Sequence, residues 1–378
     1  MKLTECKTTS ERQKLLEKIL NIRLDNIKKT QIDDEKNIHC ENLIGATTLP
    51  LGVAGPLKIL NFIPIQSGQI SNYYIPLATT EGALVASVNR GCKAISLSGG
   101  ATVYVEKVGA TRGPVYEVNS LKKALEFRDW LLKNESHLKS AAEKTSSHLK
   151  FLKQEIKILP PYVYVRFYFD TQDAMGLNMV TIATDSINQL IEQKTKIKCL
   201  SITGNFCIDK KPAWLNFISG RGKRAWAEVI LTKKVIGDVL KTSPKEFFEV
   251  WLTKCMLGSI MSGSLGFNSH FANIIAAFFA ATGQDLAHVV EGSLGITTAK
   301  VLENSDLYVS VYLPSIMIGT VGGGTKLKTK QDALSIIGVK TSTELAEVLV
   351  GAVLAGEISL LSSLEAGTLA KAHEELGR

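Results

Sequence analysis

Apolar side chains recur along this chain with the periods of both helix and strand, and the two alternate irregularly. Leu15, Leu16, Ile19, Leu20 and Leu24 form a stripe among charged residues, which predicts an amphipathic helix lying on a larger body. The stripe gives way to the charged run Asp33-Asp34-Glu35-Lys36. From 41 to 57 glycine and proline are dense, so this segment reads as irregular backbone, either a surface turn or an apolar wall against a ligand. Thr79-Thr80-Glu81 precedes Leu84, Val85, Val88, Cys92 and Ile95 at helical spacing, with threonine as cap and Glu81 as a helix-end charge. Lysine-rich stretches at 120–134 and 135–154 predict two further helices. YVYVRFYF (162–169) is a strand by composition, and DAMGLN (173–178) leads into a helical pattern over 180–192.

Farther on, Phe271, Ile274, Ile275, Phe278 and Phe279 mark a helix with a broad buried face, ended by Gly283-Gln284-Asp285. GTVGGGT (319–325) follows a strand over 308–313, and a last helical region, 342–376, brings His373 near the terminus. The order predicts an α+β protein: a large helix-rich domain with a central helix and β elements, and a small α+β unit inserted into it. No segment reads as a membrane span. The most apolar one, 256–283, contains Asn268, His270 and Asn273, which are costly in hydrocarbon, and reads as a buried core helix.

Composition narrows the field without naming a reaction. At 378 residues, 45% hydrophobic and 21% charged, the chain has side chains enough for a folded core of two or three units. The formal charge of +8 is spread over short groups, such as Lys28-Lys29, Lys210-Lys211 and the segments 221–224 and 326–330, rather than one basic arm. A few such groups lining a cleft suit a ligand with several phosphates, CoA or a dinucleotide. Six cysteines show no Cys-x-x-Cys spacing and no leader sequence opens the chain, which predicts reduced thiols in a cytoplasmic protein. His39-Cys40 is an isolated pair, so no metal is expected. Gly-x-Gly-x-x-Gly, Walker and Gly-x-Ser-x-Gly motifs are absent. By spacing alone, Lys210-Lys211 reads as a solvated pair, Asp285 as a helix-end charge and His373 as a surface residue.

Longer motifs go further. ENLIGATTLPLGVAGPL (41–57), PLATTEGALVASVNRGCKAI (76–95), TRGPV (111–115), DAMGLNM (173–179), TGNFCIDKKPA (203–213), GFNSHFANI (266–274), TGQD (282–285) and PSIMIGTVGGGT (314–325) cover most of the chain from 41 onward. In content and order they resemble the 3-hydroxy-3-methylglutaryl-CoA (HMG-CoA) reductase family, in its first class, the one found in eukaryotes and most archaea, and in its soluble archaeal form. The resemblance implies reduction of HMG-CoA to mevalonate and CoA by two hydride transfers from NADPH, on the mevalonate route to isoprenoids. NADH is the alternative cofactor, and CoA enters as part of the substrate.

Residue by residue, the resemblance makes Lys210 the cation facing the oxyanion at the thioester carbonyl, a role worth about 3–4 kcal/mol in a dry site. It makes Glu81 the proton donor of the aldehyde step, Asp285 the group tuning both, and His373 the acid that protonates the departing CoA thiolate. Arg112, Thr203, Asn205, Asp209, Lys211, Lys254 and Asn273 fall to the acyl carboxylate and hydroxyl region. Ser147, Asp173, Ala174, Met175, Gly176, Asn178, Gly322, Gly323 and Arg378 fall to the dinucleotide. His148 stands where relatives carry arginine, leaving Lys150, Lys153 and Arg378 to supply charge for a 2′-phosphate, and Met317 stands where relatives often carry an acid.

The implied domains are an N-terminal helical segment (1–45), a large substrate and CoA domain (46–113 and 202–378), and a small ferredoxin-like dinucleotide-binding domain (114–201). An obligate homodimer is implied, with a tetramer as the alternative, and neither nucleic acid nor membrane as partner. Three competing readings are an NAD-dependent, mevalonate-degrading enzyme of the same fold, a catalytically silent CoA-binding scaffold, and a nucleic-acid binder. The last is weakest, since no aromatic-basic motif is present.

Overall fold

The structure, a computed structural model, describes residues 5–29, 40–61 and 70–367. Helix α1 (Thr9–Leu20) starts in a capping box of Thr8 and Glu11, and a short α2 (Asp25–Lys29) follows. Burial does not hold α1 in place: Ile19 and Leu20 of its apolar stripe stay 61% and 55% exposed. Arg12 and Gln13 instead donate to the carbonyls of Leu43 (2.9 Å) and Ile44 (2.7 Å). The charged run 33–36 lies outside the described residues.

The glycine- and proline-rich segment is not the irregular loop expected of it. From Leu51 to Asn61 it forms strand β1, paired antiparallel with β2 (Ile70–Ala78) and interrupted by a bulge between Ala54 and Leu57. The bulge absorbs Gly55-Pro56, and the ladder resumes beyond it. The expected threonine cap before the next helix is also absent. Helix α3 (Leu84–Leu97) begins after Ala83 in a left-handed conformation, with no side-chain cap, so Glu81 lies ahead of the helix rather than in its first turn.

Strand β3 (Ala101–Arg112) pairs parallel with β1 and antiparallel with a later strand, β8, while its last three residues reach the region that follows it. That region runs β4 (Val115–Glu117), α4 (Leu121–Lys133), α5 (Glu135–Glu143), β5 (Lys150–Leu159), β6 (Tyr162–Asp170), α6 (Leu177–Thr195) and β7 (Cys199–Ser201). The predicted helix over 135–154 is thus shortened, because Phe151, Ile156 and Ile158 alternate with lysines along a strand. Its strands lie in the order β7-β4-β6-β5. They enclose a second core, built chiefly from residues between Ala110 and Ile191 around Tyr116, Phe127, Phe151, Phe167 and Phe169.

After a six-residue helix, α7 (Trp214–Ser219), strand β8 (Arg221–Leu231) returns to the main sheet. Short pieces follow: α8 (Lys233–Val235), α9 (Pro244–Val250) and α10 (Ser259–Ser262), with π-helical turns at Ile236–Leu240 and Trp251–Gly258. The single buried helix expected over 256–283 is therefore broken, and Met261 is 86% exposed. Only α11 (Phe271–Thr282) is the predicted core helix. Then come α12 (Val289–Gly292), β9 (Ile296–Val301), β10 (Leu307–Ile316), α13 (Lys328–Ile337) and α14 (Ser342–Glu365).

Helix α14 is long and apolar enough to cross a membrane, but 89% of its most apolar stretch is buried inside the protein. It is apolar on every side because protein surrounds it: α3, α11 and strands β3, β8 and β10 all pack on it. At the α3 crossing a Cβ on Gly91 would come 1.9 Å from the Ala355 carbonyl oxygen, so only glycine allows the approach. The fold is α+β around a largely antiparallel sheet.

Candidate active site

The segment from Thr203 to Ala213 is a loop between β7 and α7, and its backbone is strained. Asn205, Ile208 and Lys210 all sit at positive φ (61°, 52° and 56°), a conformation that is costly for a β-branched residue such as Ile208. Buried polar groups hold it there. Asn216 donates to the carbonyl of Ile208 (2.9 Å), Thr111 donates to that of Cys207 (2.8 Å), and the Gly204 amide donates to Gly113 (2.6 Å). The strain leaves Lys210 with its ammonium nitrogen 2.6 Å from Asp285 Oδ2, both side chains about one-third exposed.

Asp285 caps the turn after α11, accepting the Ala287 amide at 3.0 Å. Partial burial pushes its carboxyl upward. The Lys210 hydrogen bond, the Ala287 amide and the nearby His288 outweigh that, and its pKa lies below the ordinary value. The carboxylate therefore stays ionised and keeps Lys210 in place.

Beneath this pair lies a buried network that no spacing rule singles out. Arg221, with no exposed surface, places Nη1 2.6 Å from Glu291 Oε1 and Nη2 2.9 Å from Asp209 Oδ1, and its Nε donates to Thr111 at 2.9 Å. His288 Nδ1 is 2.6 Å from the same Glu291 oxygen, and its Nε2 lies 3.8 Å from Asp285 Oδ2. Asp209 is also 3.6 Å from Arg112. The network ties Lys210 to the sheet, because a Glu291 oxygen lies 3.4 Å from the Lys210 amide. Asp209, His288 and Glu291 offer ligand atoms within 4.8 Å of one another, the spacing of a metal set. Arg221 already pairs with both carboxylates and Arg112 faces Asp209, so two cations balance the two acids and the donor set does not suit a divalent ion.

Glu81 is set apart. Both of its oxygens accept from Asn273 Nδ2 (2.9 and 2.8 Å), and its amide donates to Thr79. Among the described residues no hydrogen bond or ion pair joins it to Lys210 or Asp285, so the expected three-residue contact is present only as Lys210 with Asp285. Thr203, Asn205, Lys211 and Lys254 are exposed, Lys254 on the π-helical turn packed on β9. Arg112 is 7% exposed and donates to Thr181 (2.7 Å) as well as facing Asp209. His373 and Arg378 lie outside the described residues.

The expected dinucleotide residues converge from two loops. The Asp173 carbonyl accepts the Thr320 amide at 2.9 Å, and Ala174 bridges to Val321, so segment 173–178 is laced to the glycine loop. Gly322 and Gly323 have positive φ and nothing within 4 Å of a Cβ built on them, a bare ridge of backbone open to a ligand. Asn178 is exposed two residues after Gly176, the left-handed cap of α6. The Asp173 carboxylate is committed elsewhere: it takes the Ser342 amide (2.8 Å) and hydroxyl (3.1 Å) at the start of α14. His148 Nδ1 lies 3.1 Å from Gln172 Oε1, which draws the exposed Ser147-His148 turn to this loop.

Residues 8–378 match the protein-family model described as hydroxymethylglutaryl-coenzyme A reductase. The chain belongs to the hydroxymethylglutaryl-coenzyme A reductase family. It is 49% identical over 385 residues to the 3-hydroxy-3-methylglutaryl-coenzyme A reductase of Methanocaldococcus jannaschii, covering 98% of this chain and 93% of that one. It is 40% identical to reductase 1 of Dictyostelium discoideum, covering 100% of this chain and 70% of that one. The class II reductase of Streptococcus pneumoniae, solved bound to NADPH in open conformations, superposes with a TM-score of 0.70 at 18% identity, over 95% of this chain and 97% of that one. That likeness is one of fold. Family membership makes the chain an oxidoreductase.

Proposed function

We propose that this chain reduces (S)-3-hydroxy-3-methylglutaryl-CoA to mevalonate and CoA by two hydride transfers from NADPH, on the mevalonate route to isoprenoids. The Lys210–Asp285 pair on a strained loop, in a chain of this family, is the observation that carries the reading. We infer the first, soluble archaeal-type class, supported by 40–49% identity to the archaeal and Dictyostelium enzymes against 18% to the class II one. The mevalonate-degrading alternative is not favoured, since the relatives bear the reductase name.

Bound NADPH supplies hydride; the chain supplies charge and protons. When hydride reaches the thioester carbonyl, negative charge develops on oxygen. The ammonium of Lys210 keeps N–H groups free beyond the one held by Asp285, and directs them at that oxygen. At the aldehyde step Glu81 gives its proton to the new alkoxide. The Asn273 amide serves both states of Glu81, since rotation by half a turn converts it from a donor to the carboxylate into an acceptor from the acid. Arg112 and Lys211 are the cations for the acyl carboxylate, with Thr203, Asn205, Asp209, Lys254 and Asn273 around it, and His373 protonates the CoA thiolate.

The backbone at Gly322 and Gly323, with segment 173–178, fits the dinucleotide. Asp173 contributes there by anchoring its loop to α14. Lys150 and Arg378 are the cations proposed for the 2′-phosphate, because Lys153 already lies over the Tyr168 ring (4.5 Å) and near Glu155. We infer that 114–201 is a ferredoxin-like dinucleotide-binding domain. Its strand–helix–helix–strand–strand–helix–strand order, with α4 and α5 both in the first crossover, and its separate core support this. On this division 1–45 is a helical arm, and 46–113 with 202–378 form the substrate domain. Leu51, Val53 and Tyr74, about half-exposed on the β1–β2 edge, support an obligate homodimer, and the cysteine pattern a cytoplasmic one.

Loss of NADPH absorbance with HMG-CoA present tests the reading. Lys210→Ala is expected to lower kcat roughly 100- to 1000-fold with the fold intact, by analogy with loss of an oxyanion donor. Lys150→Ala is expected to raise KM for NADPH more than for NADH. Unchanged turnover in Lys210→Ala, or a strong wild-type preference for NADH, contradicts the corresponding part.

A further inference from the structure

Glu357 lies two-thirds of the way along α14, fully buried and without a role in the reading above. Its carboxylate accepts three hydrogen bonds: from the Ser269 amide (2.8 Å), the His270 amide (2.8 Å) and the Thr297 hydroxyl (2.6 Å). The two amides stand at the entry to α11, where a helix has no internal partners for its N–H groups. A negative charge there also meets the positive end of the helix dipole. Neighbouring amides find local acceptors, Phe271 in the Asn268 side chain (3.2 Å) and Asn273 in the His270 carbonyl (3.0 Å). The point at which α11 begins is thus set from α14.

That first turn carries Asn273, the residue whose amide holds both oxygens of Glu81. A carboxylate this deep gives up its hydration, and an apolar side chain would fill the same space without that loss. What an apolar side chain would not do is orient two amides. Thr297 extends the anchor to β9, and its carbonyl accepts the Trp251 indole at 2.6 Å, so three elements are fixed about one group.

We propose that Glu357 is a positioning residue for the proton-donor step: by fixing the first turn of α11 it aims the Asn273 amide, and through it places Glu81. The proposal rests on the reading of Glu81 as proton donor given above.

Two substitutions test it, each alone and with Asn273→Ala. Glu357→Gln keeps the volume but turns an NH2 group toward donors, and Thr297→Val removes only the hydroxyl. Glu357→Gln is expected to lower kcat on the order of tenfold, with both KM values within about twofold, and to lower it less than about twofold when Asn273 is already alanine. Thr297→Val is expected to follow the same pattern more weakly, and it carries the cycle alone if Glu357→Gln does not fold. Equal losses in both backgrounds, or a lower Tm with kcat of the folded enzyme unchanged, would make Glu357 merely structural and overturn the proposal. A second readout needs no turnover: the titration midpoint of the 13C-labelled Glu81 carboxyl, assigned through Glu81→Gln. A midpoint shifted by both variants supports the proposal even if wild type fails on HMG-CoA, which would sink the functional reading instead. An unmoved midpoint in an active enzyme overturns the proposal alone.

Discussion

Lys223 is a lysine with 6% of its surface exposed, beside a cavity of about 20 Å³, one water's worth, whose walls include Met317 and Met175. Burial first, then the nearby Lys107, pushes its amine down to about 8, with Asp170 and Asp173 acting against the shift. The folded pKa lies below the unfolded 10.5, so the native state releases its proton first. Stability therefore rises as pH climbs from 8 to 10.5, and that gain is absent below 8. Lys223→Met is expected to stabilise the protein by about 3 kcal/mol at pH 7 and to flatten the rise above pH 8, as read from thermal melts. An unchanged Tm at pH 7 would mean the ammonium is better compensated than its burial implies. Residues like this one, and like Glu291, Arg221 and His288, were not legible in the sequence, because their meaning lies in burial and in partners far along the chain. Lys210, Asp285, Glu81 and Asn273 were legible only through long motifs. Asp173 was legible as part of a cofactor motif, but the hold of its carboxylate on the start of α14 was not, because Ser342 lies far along the chain.

Among the elements, α14 and α3 show how small residues set geometry. The Gly91–Ala355 approach brings the two backbones into contact, and α3 follows directly on the segment that carries Glu81. Gly91→Val is expected to force the helices apart at a cost of about 3 kcal/mol or more, with a lowered Tm in thermal melts. Full retention of stability would show that the crossing can open freely. Amphipathic α1 and apolar α11 and α14 follow from the sequence, because the apolar residues of each recur at helical spacing. Strands β1 and β5 do not. In β1 a bulge absorbs Gly55-Pro56, which read as a loop. In β5 the register shift between Phe151 and Lys153 breaks the strict alternation, leaving Leu152 44% exposed, and lysine-flanked leucines then imitate a helix.

At the scale of the molecule, two cores share one long strand. The first part of β3 belongs to the main sheet, its last residues pair with β6, and it ends at Arg112, which faces Asp209 of the strained loop. Helix α14 makes a second connection: its first residue holds the 173–178 loop through Asp173, and Glu357 holds the helix that carries Asn273. The two sets of residues expected to meet substrate and dinucleotide are thus joined by a rigid strand and a rigid helix, which suits successive hydride transfers to one bound acyl group. On this reading the thioester passes through the aldehyde to the alcohol on this one chain type. Counting NADPH consumed against CoA released, by absorbance and thiol titration with HMG-CoA as the only acceptor, tests it most directly. Two NADPH oxidised for each CoA is the expected result; one NADPH for each CoA, with free aldehyde as the product, would rule out the second reduction.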